Sequence, residues 1–228
     1  MLKPILVFGF PHCGTSILKT LIGSCEGVYY TQFESMHPPE KVPSEFDSFV
    51  IKWPYLETNF LESDYEQYYK IFILRNPLYA YTSINNRFNS ENRIVDVDPR
   101  HRPERFAATV QAFCQPTNDP KLIKVRYEDL FDNDFAIMKK TLDDIGLTYT
   151  NNIFSGNSGY RLGRYVENQV PIARPNSGDH VSYRTWQINQ PFCNMNQNDL
   201  KVRLTNHQLN VLMSNRHVKQ LWNTIHLL

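Results

Sequence analysis

Residues 9–16 read Gly-Phe-Pro-His-Cys-Gly-Thr-Ser and follow the short apolar run Pro4–Phe8. Gly9 and Gly14 have the spacing of a loop between strand and helix whose backbone N–H groups turn onto an anion, with the helix N-terminus behind them. Pro11, His12, Cys13, Gly14, Thr15 and Ser16 are the candidate lining of such a cradle, and the Ser16 hydroxyl adds a donor. Thr15 stands where a nucleoside triphosphatase carries the lysine that grips the β- and γ-phosphates. The chemistry expected is therefore anion binding without triphosphate hydrolysis. A plain strand-to-helix turn would use the same two glycines.

The same stretch supports a second chemistry. His12-Cys13-x5-Lys19-Thr20 differs by one residue from the H-C-x5-R-[ST] signature of protein tyrosine phosphatases, in which a cysteine thiolate attacks phosphorus. A helix N-terminus lowers a thiol pKa, which makes Cys13 a candidate nucleophile. Lys19 cannot reproduce the planar two-pronged grip of the arginine.

A second motif separates these readings. Arg75-Asn76-Pro77 follows the apolar run Ile71–Leu74, and Ser83 comes six residues after Pro77. Proline suits the first position of a helix, so Arg75 ends a strand, Ser83 sits two turns along the next helix, and both can reach one anion. A third stretch, Val125-Arg126-Tyr127-Glu128-Asp129-Leu130, follows another apolar run. In order and spacing the three motifs, spanning residues 9 to 130, resemble the sulfotransferases that use 3′-phosphoadenosine 5′-phosphosulfate (PAPS). The resemblance implies a three-layer α/β, phosphate-loop-like fold with a central, mainly parallel sheet flanked by helices. It implies that the first loop holds the 5′-phosphosulfate, that Arg75 and Ser83 hold the 3′-phosphate, and that Tyr127 approaches the adenine. PAPS is then the co-substrate, no metal is required, and the acceptor bears a hydroxyl: a carbohydrate, a phenol or a tyrosine side chain.

For the chemical step, sulfuryl transfer needs a base for the acceptor proton and cations for the departing phosphate. Lys52 ends the run Phe49–Ile51 and resembles the family's strand-end lysine, which leans on the sulfonate and the leaving oxygen. His12 stands where the family has Lys or Arg, and an imidazole titrating near neutrality can supply a charge or a proton there. The histidine base of the family's cytosolic branch would fall at Pro54. The branch resembling tyrosylprotein and heparan sulfotransferases uses a glutamate instead. Glu34, 22 residues after His12, falls at about that place and is the candidate base, with His37 behind it. The family's C-terminal clamp on the 3′-phosphate has no clear counterpart; Arg161, Arg164, Arg174 and Arg184 are the candidates. Loss of turnover with retained nucleotide binding is the third reading, to which His12 lends weight.

These residues need a scaffold. Apolar runs at Pro4–Phe8, Phe49–Ile51, Ile71–Leu74 and Leu122–Val125 read as buried strands. Between them, helical periodicity at Ser16–Ser24, Leu78–Phe88, Arg105–Phe113 and Phe135–Ile145 makes crossover units and hence a parallel sheet. A final helix is expected over Thr205–Leu221, with Leu209, Leu212, Val218 and Leu221 on one face. Residues 150–198 are rich in Asn, Gly, Ser and Pro and are expected to form a flap over the site of one domain spanning 1–228.

Composition excludes several other classes. The 228 residues carry a net charge of +1, which argues against a dedicated nucleic-acid binder. Mean hydropathy is −0.47 and no apolar run reaches the roughly 18 residues a membrane helix needs. The apolar start is too short for a secretory leader, so the mature chain is expected to begin where the sequence does. Cys13, Cys25, Cys114 and Cys193 are scattered and the seven histidines dispersed. Free thiols, no metal site and a cytoplasmic location are expected.

Overall fold

The computed structural model describes residues 2–30, 37–54, 65–90, 98–155 and 204–222, together with Ser182, Trp186 and Phe192. Five strands form one sheet: β1 (Lys3–Gly9), β2 (Val28–Tyr30), β3 (Ser48–Trp53), β4 (Tyr69–Leu74) and β5 (Leu122–Arg126). Every pairing is parallel and the spatial order is β2-β3-β1-β4-β5. The helices are α1 (Thr15–Ile22), α2 (Pro77–Ser90), α3 (Pro103–Cys114), α4 (Asp132–Ile145), α5 (Asn206–Ser214) and α6 (Arg216–Leu221).

Strand alternation builds the layers. Leu6 and Phe8 of β1, Phe49 and Ile51 of β3, and Phe72 and Leu74 of β4 pack on one face with Tyr81, Phe106, Val110, Leu212 and Trp222. Ile5, Val7, Val50, Ile71 and Ile73 pack on the other with Leu18, Leu21 and Ile22 of α1 and Met138, Leu142 and Ile145 of α4. Both faces are covered, which is why the strands read as continuous apolar runs rather than alternating ones. The α/β layered fold expected from the motifs is the fold observed.

Two local differences have clear causes. The three-residue edge strand Val28–Tyr30 is too short for the periodicity of the sequence to have marked it. The expected helix 205–221 is two helices, because the Asn215 side chain accepts from the N–H groups of His217 and Val218 and starts a new one. Leu209 is exposed, while Leu212 and Val218 stay in the core. Upstream, Thr205 caps α5 reciprocally with Gln208. The Gln208 amide also exchanges hydrogen bonds with Asn85 of α2 at 2.9 and 3.2 Å, which docks α5 against α2.

Most of the expected flap lies outside the described residues. Its start, Asn151–Phe154, is a 3-10 turn, and the buried Phe192 donates its N–H to Phe154 O at 2.9 Å. Among the described residues no helix is long and apolar enough to cross a membrane.

Candidate functional site

In a parallel sheet the loops that follow the strands gather at one edge, the usual place for a ligand. Register fixes which of them are neighbours here: Phe8 lies beside Trp53 and Phe72, Gly9 beside Ile73, and Leu74 beside Arg126. The first loop therefore emerges from the middle strand, with the ends of β3 and β4 on either side.

The two glycines of that loop are required by their neighbours. Gly9 has φ 151°, and a Cβ there would stand 2.0 Å from the carbonyl oxygen of Ile73. Gly14 has φ 95°, and a Cβ would stand 2.5 Å from the Tyr127 ring. Between them His12 holds a left-handed φ of 64°, which costs a non-glycine residue on the order of 1 kcal/mol. This torsion accompanies a contact across the site: His12 Nδ1 and Ser83 Oγ are 2.9 Å apart. Two residues that the resemblance assigns to opposite ends of a nucleotide thus touch directly. The ring of His101 stands edge-on to that of His12, 6.0 Å away.

Cys13 is fully buried, and burial pushes its thiol up to about 12, opposed only in part by the backbone N–H and charge of Arg75. This corrects the expectation of an activated thiolate. The first helical residue is Thr15, two positions on, and the sulfur faces the core rather than the loop's mouth. A neutral, inaccessible thiol cannot attack phosphorus, and the phosphatase reading of Cys13 fails on that ground. Pro11 and Thr15 are likewise buried; Gly14 and Ser16 are partly exposed.

Lys52 follows the face parity of Val50, so its side chain lies on the α1 side of the sheet. There Nζ donates to Ser16 Oγ at 2.7 Å, and only 3% of the residue is exposed. Lys19, by contrast, packs against β2, its Nζ 4.8 Å from the centroid of the Tyr30 ring.

The Arg-Asn-Pro stretch divides its tasks residue by residue. Pro77 opens α2, and the Asn76 side chain accepts from Leu78 N–H at 3.0 Å. Arg75 is 7% exposed, with its guanidinium 4.5 Å from the Tyr127 ring and 5.8 Å from that of Tyr79. Its Nε is buried with no hydrogen-bond partner. Tyr127, itself buried, is wedged between Gly14 and Arg75, with its ring also 4.9 Å from Phe131. It offers its ring to those groups rather than to an open stacking surface.

Two groups that the motifs did not single out also belong to this edge. Glu128 accepts from Asn76 N–H at 2.7 Å, and burial raises its carboxyl above the ordinary range. Its place inside the Tyr-Glu-Asp-Leu stretch was the available signal. His101 is buried, its Nδ1 3.4 Å from Asp98 Oδ2, and desolvation pushes its imidazole down to about 4 despite the nearby carboxylate. Nothing in its local sequence marks it.

Glu34 lies outside the described residues, as do Arg161, Arg164, Arg174 and Arg184; His37 is exposed. Among the described residues no group of three or more His, Cys, Asp or Glu side chains is placed to hold a metal ion. His12, Ser16, Lys52, Arg75, Ser83 and Tyr127 are brought to one sheet edge as three contacting pairs: Lys52–Ser16, Arg75–Tyr127 and Ser83–His12.

No protein-family model matches the chain, and no curated protein matches its sequence. Solved structures do match it in fold. A mouse sulfotransferase complexed with PAP is 13% identical with a TM-score of 0.60, over 98% of this chain and 85% of that one. The sulfotransferase domain of the olefin synthase from Synechococcus PCC 7002 is 12% identical with a TM-score of 0.51, over 93% and 94%. Retinol dehydratase in complex with androsterone and inactive cofactor PAP gives 12% and 0.51, over 100% and 83%. At these identities the likeness is one of fold.

Proposed function

We propose that the protein is a sulfotransferase that moves a sulfuryl group from PAPS to a hydroxyl of its acceptor. The observation that supports this most is Arg75, a buried guanidinium with a partnerless Nε at the strand end beside the glycine loop. Leaving a buried donor unsatisfied costs about 1–3 kcal/mol, and an anionic ligand removes that cost. The fold shared with PAP-complexed sulfotransferases favours a 3′-phosphate as that anion.

PAPS supplies an activated sulfuryl group on a phosphate leaving group. The residues that would hold it are the backbone of Pro11 to Ser16 at the phosphosulfate, Arg75 and Ser83 at the 3′-phosphate, and Tyr127 beside the adenine. Lys52, fixed through the Ser16 hydroxyl, keeps positive charge at the loop, where negative charge grows as the bond to sulfur breaks. His12 adds a proton donor at the same loop, oriented by Ser83. Glu34 is the base that takes the acceptor's proton, with His37 as its substitute. The acceptor is a carbohydrate, phenol or tyrosine hydroxyl, and the free Cys13, Cys25 and Cys114 suit a reducing cytoplasm.

The test is transfer itself. Incubated with PAPS and a panel of phenols and sugars, the protein should release adenosine 3′,5′-bisphosphate and sulfated product in equal amounts. Glu34→Gln should lower kcat about 10²–10⁴-fold while leaving nucleotide affinity intact. Tight bisphosphate binding without transfer to any acceptor would reduce the protein to a nucleotide binder, and no binding at all would end the proposal.

A further inference from the structure

Glu128 has no part in that scheme, yet its carboxylate is the buried acid at the same strand ends. Oε1 accepts from Asn76 N–H at 2.7 Å, whereas Oε2 is buried without a hydrogen-bond partner. Arg75 Nε and Trp222 Nε1 are in the same condition. Burial raises the Glu128 carboxyl, and the Asn76 N–H and the charge of nearby Arg75 oppose that rise; Asn76 follows Arg75 directly in the chain, so its bond to Oε1 places the acid beside the guanidinium. Among the described residues, however, no ion pair joins Arg75 to Glu128. Asn76 is the reason on the acid's side, since a backbone N–H at the start of α2 pins Oε1. Tyr127 is the reason on the base's side, since its ring holds the guanidinium from one face at 4.5 Å.

We infer that Glu128 is the positioning counter-ion of Arg75: it compensates the charge of the guanidinium and keeps it aligned in the ligand-free protein, and it competes with the phosphate that Arg75 receives. The inference rests on the sulfotransferase reading above. A buried guanidinium with no negative charge nearby would be strongly destabilising, and a closed Arg–carboxylate fork would have to be broken by each incoming phosphate. A carboxylate pinned at a short remove avoids both extremes. It compensates the charge through the low-dielectric interior while leaving the guanidinium donors open to a ligand. Its negative charge also repels a phosphate dianion at the same place.

The consequence is a pair of opposite effects in one variant. Glu128→Gln keeps an oxygen for Asn76 N–H and removes the charge. The ligand-free protein should therefore melt lower by several degrees, while adenosine 3′,5′-bisphosphate should bind about tenfold more tightly. Adenosine 5′-monophosphate, which has no group for Arg75, should bind both proteins alike. Calorimetric titration of wild type and variant with the two nucleotides, beside their melting curves, reads all of this. A bisphosphate affinity that is unchanged or weaker overturns the inference, and so does equal tightening of both nucleotides. Wild type that fails to prefer bisphosphate over monophosphate overturns the sulfotransferase reading itself. If Glu128→Gln alone does not fold, Arg75→Gln/Glu128→Gln, which removes both charges, should fold and bind the two nucleotides equally. A double variant that also fails to fold would assign Glu128 to the scaffold through Asn76, against the inference.

Discussion

Lys52 and Arg75 end the two strands that flank β1, and both are cations with less than a tenth of their surface exposed. They differ in what surrounds them. Lys52 donates to the Ser16 hydroxyl at 2.7 Å on the α1 side, whereas Arg75 has aromatic rings for neighbours and an Nε without a partner. The first contact ties the cation to the loop that precedes α1, so the loop and the charge form a unit before any ligand arrives. The second is half of a contact. On the proposed function, this difference assigns a prearranged chemical half to β3 and a receptive binding half to β4, and it yields predictions of different kinds for the two cations.

The largest expected effect is on the binding half. Arg75→Ala should weaken adenosine 3′,5′-bisphosphate by about 2–4 kcal/mol through loss of a charge-assisted contact. Adenosine 5′-phosphosulfate, lacking the 3′-phosphate, should bind variant and wild type about equally in a competition titration. Equal losses for both ligands would move Arg75 from the 3′-phosphate to the loop and erase the division between the halves.

The next effect falls on the chemical half. Lys52→Met keeps most of the packing and removes the charge, so kcat should fall by about 10²-fold, the scale on which one electrostatic group stabilises a transition state. Bisphosphate affinity should change much less. A phenol of low pKa, which ionises without help, should rescue Glu34→Gln but not Lys52→Met, because the leaving group is the same for every acceptor. A Lys52→Met enzyme with normal kcat and weakened nucleotide binding would show that both cations belong to one binding site.

Much of this organisation was legible in the residues, for physical reasons that can be named. The central strands β1, β3 and β4 stand out because both sheet faces are covered there, which leaves little polar alternation to confuse the pattern; β5, at the edge, keeps Lys124 and Arg126 in alternation. Gly9, Gly14, Asn76 and Pro77 are readable because the loop torsions and the start of α2 favour those residue types. What escaped depends on contacts distant in sequence. Glu128 meets Asn76 across 52 positions, and His12 meets Ser83 across 71. For the thiol of Cys13 the sequence leaves two readings open, because a cysteine in such a loop can face the anion or the core, and only the packing of Phe10, Tyr81 and their neighbours decides for the core. Helices α5 and α6 read as one in the sequence because their shared apolar period hides the capping role of Asn215.

The smallest expected effect concerns a contact between the loop and α2. Ser83 lies on α2, the helix that follows Arg75, yet its hydroxyl is 2.9 Å from Nδ1 of His12 in the loop. If the hydroxyl serves the 3′-phosphate, a ligand there competes with His12 for it, and exchange of one hydrogen bond for another leaves a small net gain. Ser83→Ala should then weaken adenosine 3′,5′-bisphosphate by only about 0.5–1.5 kcal/mol, with adenosine 5′-phosphosulfate unaffected and Ser83→Thr close to wild type. The imidazole would also lose a partner that helps to orient it, so the pH profile of kcat should move in Ser83→Ala while that of Arg75→Ala stays put. Should Ser83→Ala weaken both nucleotides equally, the hydroxyl acts on the loop through His12, and the boundary between the chemical and binding halves runs through α2 rather than between β3 and β4.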